Sequence, residues 1–94
     1  MPFYCYLLEC SDGTYYTGWT TDPERRLRQH NDGSASRYTR TRLPVRMVYL
    51  EPQIDRSSAL KREAELRKLS HTQKKLLASR QTEPEVSLNG REIT

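Results

Sequence analysis

Hydrophobic and polar positions fall along this chain in short runs of different period. Phe3 to Glu9 is nearly continuous in apolar and aromatic side chains and reads as a strand. Ser11-Asp12-Gly13 is a turn signal, and Thr14 to Thr20 is the returning strand. A helical segment then runs to about Asn31, where Asp32-Gly33 stops it. Pro23 at its first position favours Asp22 as the cap, whereas Thr21 with Glu24 would form a capping box. Gly33 to Leu43 is a polar connection with room for a short helical turn. Val45 to Leu50 is a third strand whose start Pro44 confines. Asp55 or Ser57 caps a second helix, from about Ser58 to Leu69, and Ser70 caps a last one ending near Leu77. The order β-β-α-β-α-α predicts a small α/β (α+β) domain over residues 1–78, with a three-stranded, mostly antiparallel sheet and flanking helices. Residues 79–94 carry Pro84, Asn89 and Gly90 and few large apolar side chains, which predicts a weakly structured tail.

The alternation constrains the first hairpin further. A two-residue loop, Asp12-Gly13, would send Tyr6 and Tyr16 to opposite sides of the sheet. A three-residue loop, Ser11-Asp12-Gly13, pairs Cys10 with Thr14 and Leu8 with Tyr16, so that Tyr6, Leu8, Tyr16 and Gly18 share one face. Gly13 then sits where a type I turn with a bulge needs a left-handed residue. The expectation is the three-residue loop, a positive φ at Gly13, and both tyrosines facing the helix that bears Arg26.

Charge changes the picture locally. The net charge is +4 and the pI about 9.3. Between Arg25 and Arg46 lie seven arginines, no lysine and one acid, Asp32. Guanidinium forks match phosphate oxygens, and a cluster of them attracts polyanions, so nucleic acid is the expected partner. Cys5 and Cys10 lack metal-site spacing, and with His30 and His71 far off they exclude a zinc centre. No membrane span or secretory signal is read, and a reducing cytoplasm is the expected setting. About eighty residues bury one small core but no large enclosed pocket, which favours an open groove.

Three sets of residues carry candidate chemistry. Arg26 and His30 are four apart on the first helix and share a face, where one can hold a phosphate and the other can bind phosphate or shuttle a proton. A solvated polar face accounts for the same spacing. Glu63 lies on the side of the second helix marked by Ala59, Leu60 and Leu66, beside an apolar stripe. A carboxylate placed there either pairs with Arg67 one turn on or binds a divalent metal, since Mg2+ takes one or two carboxylates and completes its shell with water and phosphate oxygen. Tyr6 and Tyr16 are packing residues taken singly. As a pair beside arginines they can exchange a proton with water, provided those cations lower a phenol pKa of about 10.

Together these residues resemble the GIY-YIG nuclease domain, most closely its small stand-alone UPF0213 type, over roughly Phe3 to Leu77. The first motif tyrosine falls on Tyr6, in a degraded triplet Tyr4-Cys5-Tyr6. The second falls on Tyr16, with Thr17 in place of the usual isoleucine or valine and Gly18 as the motif glycine. The resemblance implies catalytic roles for Tyr6, Tyr16, Arg26, His30 and Glu63, with Glu63 holding Mg2+ (or Mn2+), and hydrolysis of a phosphodiester by water activated by a tyrosine. Arg25, Arg28, Arg37, Arg40, Arg42 and Tyr38 would contact DNA, Tyr38 by stacking on a base or else by packing on the domain edge. Without an attached targeting domain, a branch, flap or single strand is the expected substrate, or a partner protein supplies targeting. Two other functions remain open on the sequence: a nucleic-acid-binding module without turnover, and a protein-docking domain using the helices from Ser58 to Leu77.

Overall fold

The computed structural model describes residues 2–90, with side chains through Gln81. Its elements run β1 (Phe3–Glu9), β2 (Tyr15–Thr20), α1 (Pro23–Asn31), α2 (Arg37–Arg40), β3 (Arg46–Gln53), α3 (Arg56–Lys68) and α4 (His71–Gly90). The fold is α+β, with one antiparallel sheet in the order β2-β1-β3. That order explains the unbroken apolar run of β1. It is the central strand, and Cys5, Tyr6, Leu7 and Leu8 are all buried because both faces of the sheet are covered.

Each face has its own core. Tyr6, Leu8, Cys10 and Val45 form one, and Tyr16, Leu27, Leu43, Met47 and Leu50 pack around it. Cys5, Ala59 and Leu66 form the other, edged by Phe3, Trp19, Leu69 and Leu77. The first helix and the connection after it serve the first core, and α3 and α4 serve the second.

The hairpin has the geometry that alternation demands. Leu8 pairs with Tyr16 and Glu9 with Tyr15. Cys10 N–H donates to Thr14 O at 2.8 Å, and Gly13 N–H to Cys10 O at 2.9 Å, closing a loop of Ser11-Asp12-Gly13. Gly13 has φ 84°. The Asp12 carboxylate holds both Thr14 N–H and the Thr14 hydroxyl, which fixes the exit of the turn.

The open choices of cap resolve by hydrogen bonding. Asp22 Oδ1 accepts from Arg25 N–H at 3.2 Å, so Asp22 and not Thr21 caps α1. Asp55 Oδ1 accepts from Ser58 N–H at 2.8 Å, so α3 starts two residues earlier than its polarity pattern indicates. Ser70 and Gln73 form a reciprocal capping box at the start of α4.

The short helical turn expected in the polar connection is present as α2. Two boundaries differ from expectation. β3 runs from Arg46 to Gln53 rather than from Val45 to Leu50. The last helix passes Leu77 and extends to Gly90. Beyond Leu77 this helix is tied to the sheet: the Gln81 side-chain amide donates to Leu50 O at 2.8 Å and accepts from Leu50 N–H at 2.7 Å. The free edge of β3 is thereby satisfied by a peptide-like group from α4. Residues 91–94 of the expected tail lie outside the described residues.

Candidate active site

The first helix docks in an unusual way. It offers one large apolar side chain, Leu27, to the core. Its only fully buried residue is His30, 1% exposed. A buried imidazole needs partners, and it has two: the Tyr6 hydroxyl, 2.9 Å from Nε2, and the Thr39 hydroxyl, 2.8 Å from Nδ1. Asn31 adds a second polar clamp, with its side-chain amide bonded to both N–H and C=O of Val45 at 2.8 and 2.9 Å. Polar side chains thus hold α1 where an apolar stripe is missing.

Thr39, which α2 buries completely, favours one direction for these bonds. Its hydroxyl has Ser36 O as an acceptor at 3.4 Å, and donating there it accepts from His30 Nδ1–H. Nε2 is left bare and accepts from the Tyr6 hydroxyl. Burial, with the Arg26 charge adding to it, lowers the His30 pKa to about 4, so the ring is neutral at physiological pH. Burial also pushes the Tyr6 phenol well above its ordinary range, and Tyr16 adds to this, while Arg26 pulls the other way without prevailing. This corrects the expectation that nearby arginines lower the Tyr6 pKa: desolvation of a side chain 2% exposed outweighs them.

Tyr6, Tyr16, Gly18, Arg26, His30 and Glu63 line one open groove of about 530 Å3. The Tyr16 ring stands 5.1 Å from that of His30, edge to face. Gly18 belongs here because a side chain would not fit: a Cβ on it would lie 2.5 Å from Tyr6 Oη. Arg26 is half-buried and has no acidic partner among the described residues. Glu63, its side chain 17% exposed, accepts from Arg67 through Oε2 at 2.9 Å, so the ion pair foreseen as the plain alternative does form. It engages one carboxylate oxygen, and Glu63 still faces the groove. The apolar stripe beside it is Ala59 and Leu66; Leu60, expected on the same side, is 45% exposed.

These features agree with what sequence comparison finds. The GIY-YIG catalytic domain matches residues 2–76 of the chain. The chain belongs to the GIY-YIG family. Among its relatives, a UPF0213 protein of Haloquadratum walsbyi is 48% identical over 80 residues, covering 85% of this chain and 90% of that protein. One from Syntrophus aciditrophicus is 50% identical over 72 residues, covering 76% and 83%. The solution structure of a UPF0213 protein of Bacillus halodurans superposes with a TM-score of 0.53 at 42% identity and covers 84% of each chain. A protein of E. faecalis gives 0.55 at 46% identity, covering 79% of each.

Within this GIY-YIG fold the residues expected to contact DNA are not equivalent. Arg25 shares a second recess with Arg26, at the start of α1. Arg28, Arg37 and Arg40 are exposed and do not line the groove. Arg42 is already engaged: Nε lies 3.0 Å from Asp12 Oδ2, Nη1 donates to Tyr38 O, and the guanidinium sits 3.9 Å over the Tyr38 ring. Tyr38, 36% exposed, has that face covered by Arg42 and the Tyr16 ring at 6.0 Å. Sequence reasoning missed Thr39, Asn31 and the groove residues Phe3, Trp19 and Arg56. The single tryptophan next to Gly18 was the one available signal for the last group.

The His30 arrangement has a measurable consequence. Imidazole NMR should show one tautomer, protonated at Nδ1, titrating near pH 4. The unfolded chain's histidine binds a proton near 6.5. Its contribution to stability is thus complete above pH 6.5 and falls by about 3 kcal/mol as pH drops to 4. Thr39→Val should abolish the tautomer preference. A midpoint near 6.5 in the folded protein would contradict the burial argument. No described helix is long and apolar enough to cross a membrane.

Proposed function

We propose that this protein is a divalent-metal-dependent DNA endonuclease, using Mg2+ or Mn2+, that recognises a structural feature such as a branch, flap or single strand. The observation that carries this reading is Arg26. A half-buried guanidinium without an acidic partner among the described residues shares one groove with a neutral histidine, a protonated phenol and a carboxylate. A phosphodiester satisfies that cation with its non-bridging oxygens.

Hydrolysis requires a water oxygen to bond to phosphorus while the ester bond to the leaving oxygen breaks. Tyr6 lines the groove and, in the tautomer that Thr39 favours, donates to His30 Nε2. It can take a proton from the attacking water as it passes its own to His30. Burial and Arg26 both disfavour an imidazolium, so His30 holds that proton only in transit and returns it through Tyr6 to water in the groove, while the leaving oxygen takes a proton from solvent. Arg26 stabilises charge gathering on the phosphorane oxygens. Thr39 is a positioning residue that keeps His30 Nε2 free to accept.

The donor set fits Mg2+ and excludes a protein-enclosed cage. No cluster of three or more metal-ligating side chains occurs among the described residues. Glu63, the sole carboxylate lining the groove, would supply a protein ligand for Mg2+, with water and phosphate oxygen completing the shell. When bound, the cation would supply charge stabilisation at the leaving oxygen.

Incubating the purified chain with labelled linear, single-stranded and branched DNA, with Mg2+ or with EDTA, tests this reading. Cleavage in Mg2+ and none in EDTA is the expected result. Tight DNA binding without turnover on every substrate would instead make it a binding module.

A further inference from the structure

The groove does not end at Arg26 and Glu63. It continues to Phe3, Trp19 and Arg56. Gly18 and Trp19 are consecutive on β2 and point to opposite faces of the sheet, yet both line the groove. The groove therefore joins the two faces of the sheet at the outer strand β2, near where β1 begins. There the Phe3 and Trp19 rings lie 6.0 Å apart at 39°. The Arg56 guanidinium stands 5.5 Å from the centre of the Trp19 ring. Both rings are only partly buried. Arg56 is exposed and, like Arg26, has no acidic partner among the described residues.

We propose that Phe3, Trp19 and Arg56 form a subsite for one unpaired nucleobase of the DNA strand whose phosphate sits at Arg26. The inference rests on the nuclease reading and names its substrate class. An aromatic surface flanked by a free cation is the chemistry that binds a base and its adjoining phosphate together. A base inside a duplex has both faces covered by its neighbours, so only a single-stranded, flap or frayed position can offer one. This selects the substrate without reading sequence, since every base has a stacking face.

Trp19 is the only tryptophan in the chain, so its fluorescence reports on the subsite directly. The experiment titrates the full chain in EDTA, where no cleavage is needed, with a single-stranded oligonucleotide and with a blunt duplex of the same sequence. The single strand should quench Trp19 and bind about ten-fold more tightly than the duplex. A series of single strands, each with one abasic position, should show a loss of about ten-fold at one position. Trp19→Phe and Arg56→Ala should reduce affinity for the intact strand. In Trp19→Phe the abasic penalty should shrink, because base and ring then no longer make the full contact. Trp19 also packs on the second core, so the abasic series in the unmodified protein keeps the test independent of folding. Equal affinity for strand and duplex, with no position-dependent abasic loss, would overturn the subsite. Abasic coupling to Trp19 without Mg2+-dependent cleavage would retain the subsite and remove the nuclease reading. Cleavage with no such coupling would do the reverse.

Discussion

Glu63→Gln should lower Mg2+-dependent cleavage by about 10^2- to 10^3-fold while leaving the fold and DNA affinity in place. The substitution keeps the shape of the side chain and its acceptor for Arg67, which lies 2.9 Å away on the next turn. It removes the negative charge, the property that a hard cation needs from an oxygen ligand. The competing account of Glu63 is a helix ion pair, and it makes a different prediction. An exposed pair at this spacing stabilises a helix by about 0.3–0.5 kcal/mol, and breaking it changes no rate. Arg67 is 65% exposed, so Arg67→Ala tests that account alone and should leave cleavage nearly unchanged. The measurement is the initial rate on the best cleaved substrate across a Mg2+ titration, with circular dichroism and a binding assay in EDTA as controls. Full activity in Glu63→Gln would remove the metal role.

The parts of this molecule that were legible in the sequence are those governed by short-range rules. The hairpin register follows from period-two alternation and from one glycine that must be left-handed, and it puts Tyr6 and Tyr16 on one face. The buried run of β1 followed from its continuous apolar character. Family resemblance then brought Arg26, His30 and Glu63 into the same picture, and the groove does contain all five.

What escaped sequence reading is polar and long-range. Hydrophobic periodicity has no means of detecting a helix docked through a histidine. His30 is buried because Tyr6 and Thr39, 24 and 9 residues away, satisfy both its nitrogens. The arginine cluster was read as a unit, yet Arg42 is spent on Asp12, 30 residues earlier. Charge density along a chain does not reveal which charges find partners in three dimensions. Trp19 was overlooked because alternation puts it on the sheet face opposite Tyr16. Only the groove, which joins both faces of the sheet at the outer strand β2, brings the two together. Past Leu77 the last helix bonds the edge strand β3 through one glutamine amide, a contact that no pattern of apolar residues encodes.

Gly18→Ala should be the most damaging glycine-to-alanine change among the described residues. The backbone at Gly18 has no positive φ, so alanine meets no conformational penalty there. The obstacle is steric. The added Cβ would lie 2.5 Å from Tyr6 Oη and 2.6 Å from Cζ, well inside contact distance. Tyr6 cannot yield easily, because its ring is buried in the first core and its hydroxyl is held by His30, which Thr39 holds in turn. Relief requires the phenol to leave His30. Overpacking of this kind costs about 1–3 kcal/mol, or roughly 4–8 °C in Tm per kcal/mol for a domain of this size. Displacing the phenol by about 1 Å should cost about 100-fold in cleavage rate as well. Gly13→Ala is the matched control. Gly13 has φ 84° and nothing within 4 Å of an added Cβ. Its cost is therefore backbone strain in the turn, about 1 kcal/mol, with no loss of rate. Comparing the two variants by thermal unfolding, cleavage and the His30 imidazole NMR signal separates loss of the site from loss of stability. If Gly18→Ala retained the wild-type His30 signal and rate, the close packing of Tyr6 against β2 could not be what holds the site together.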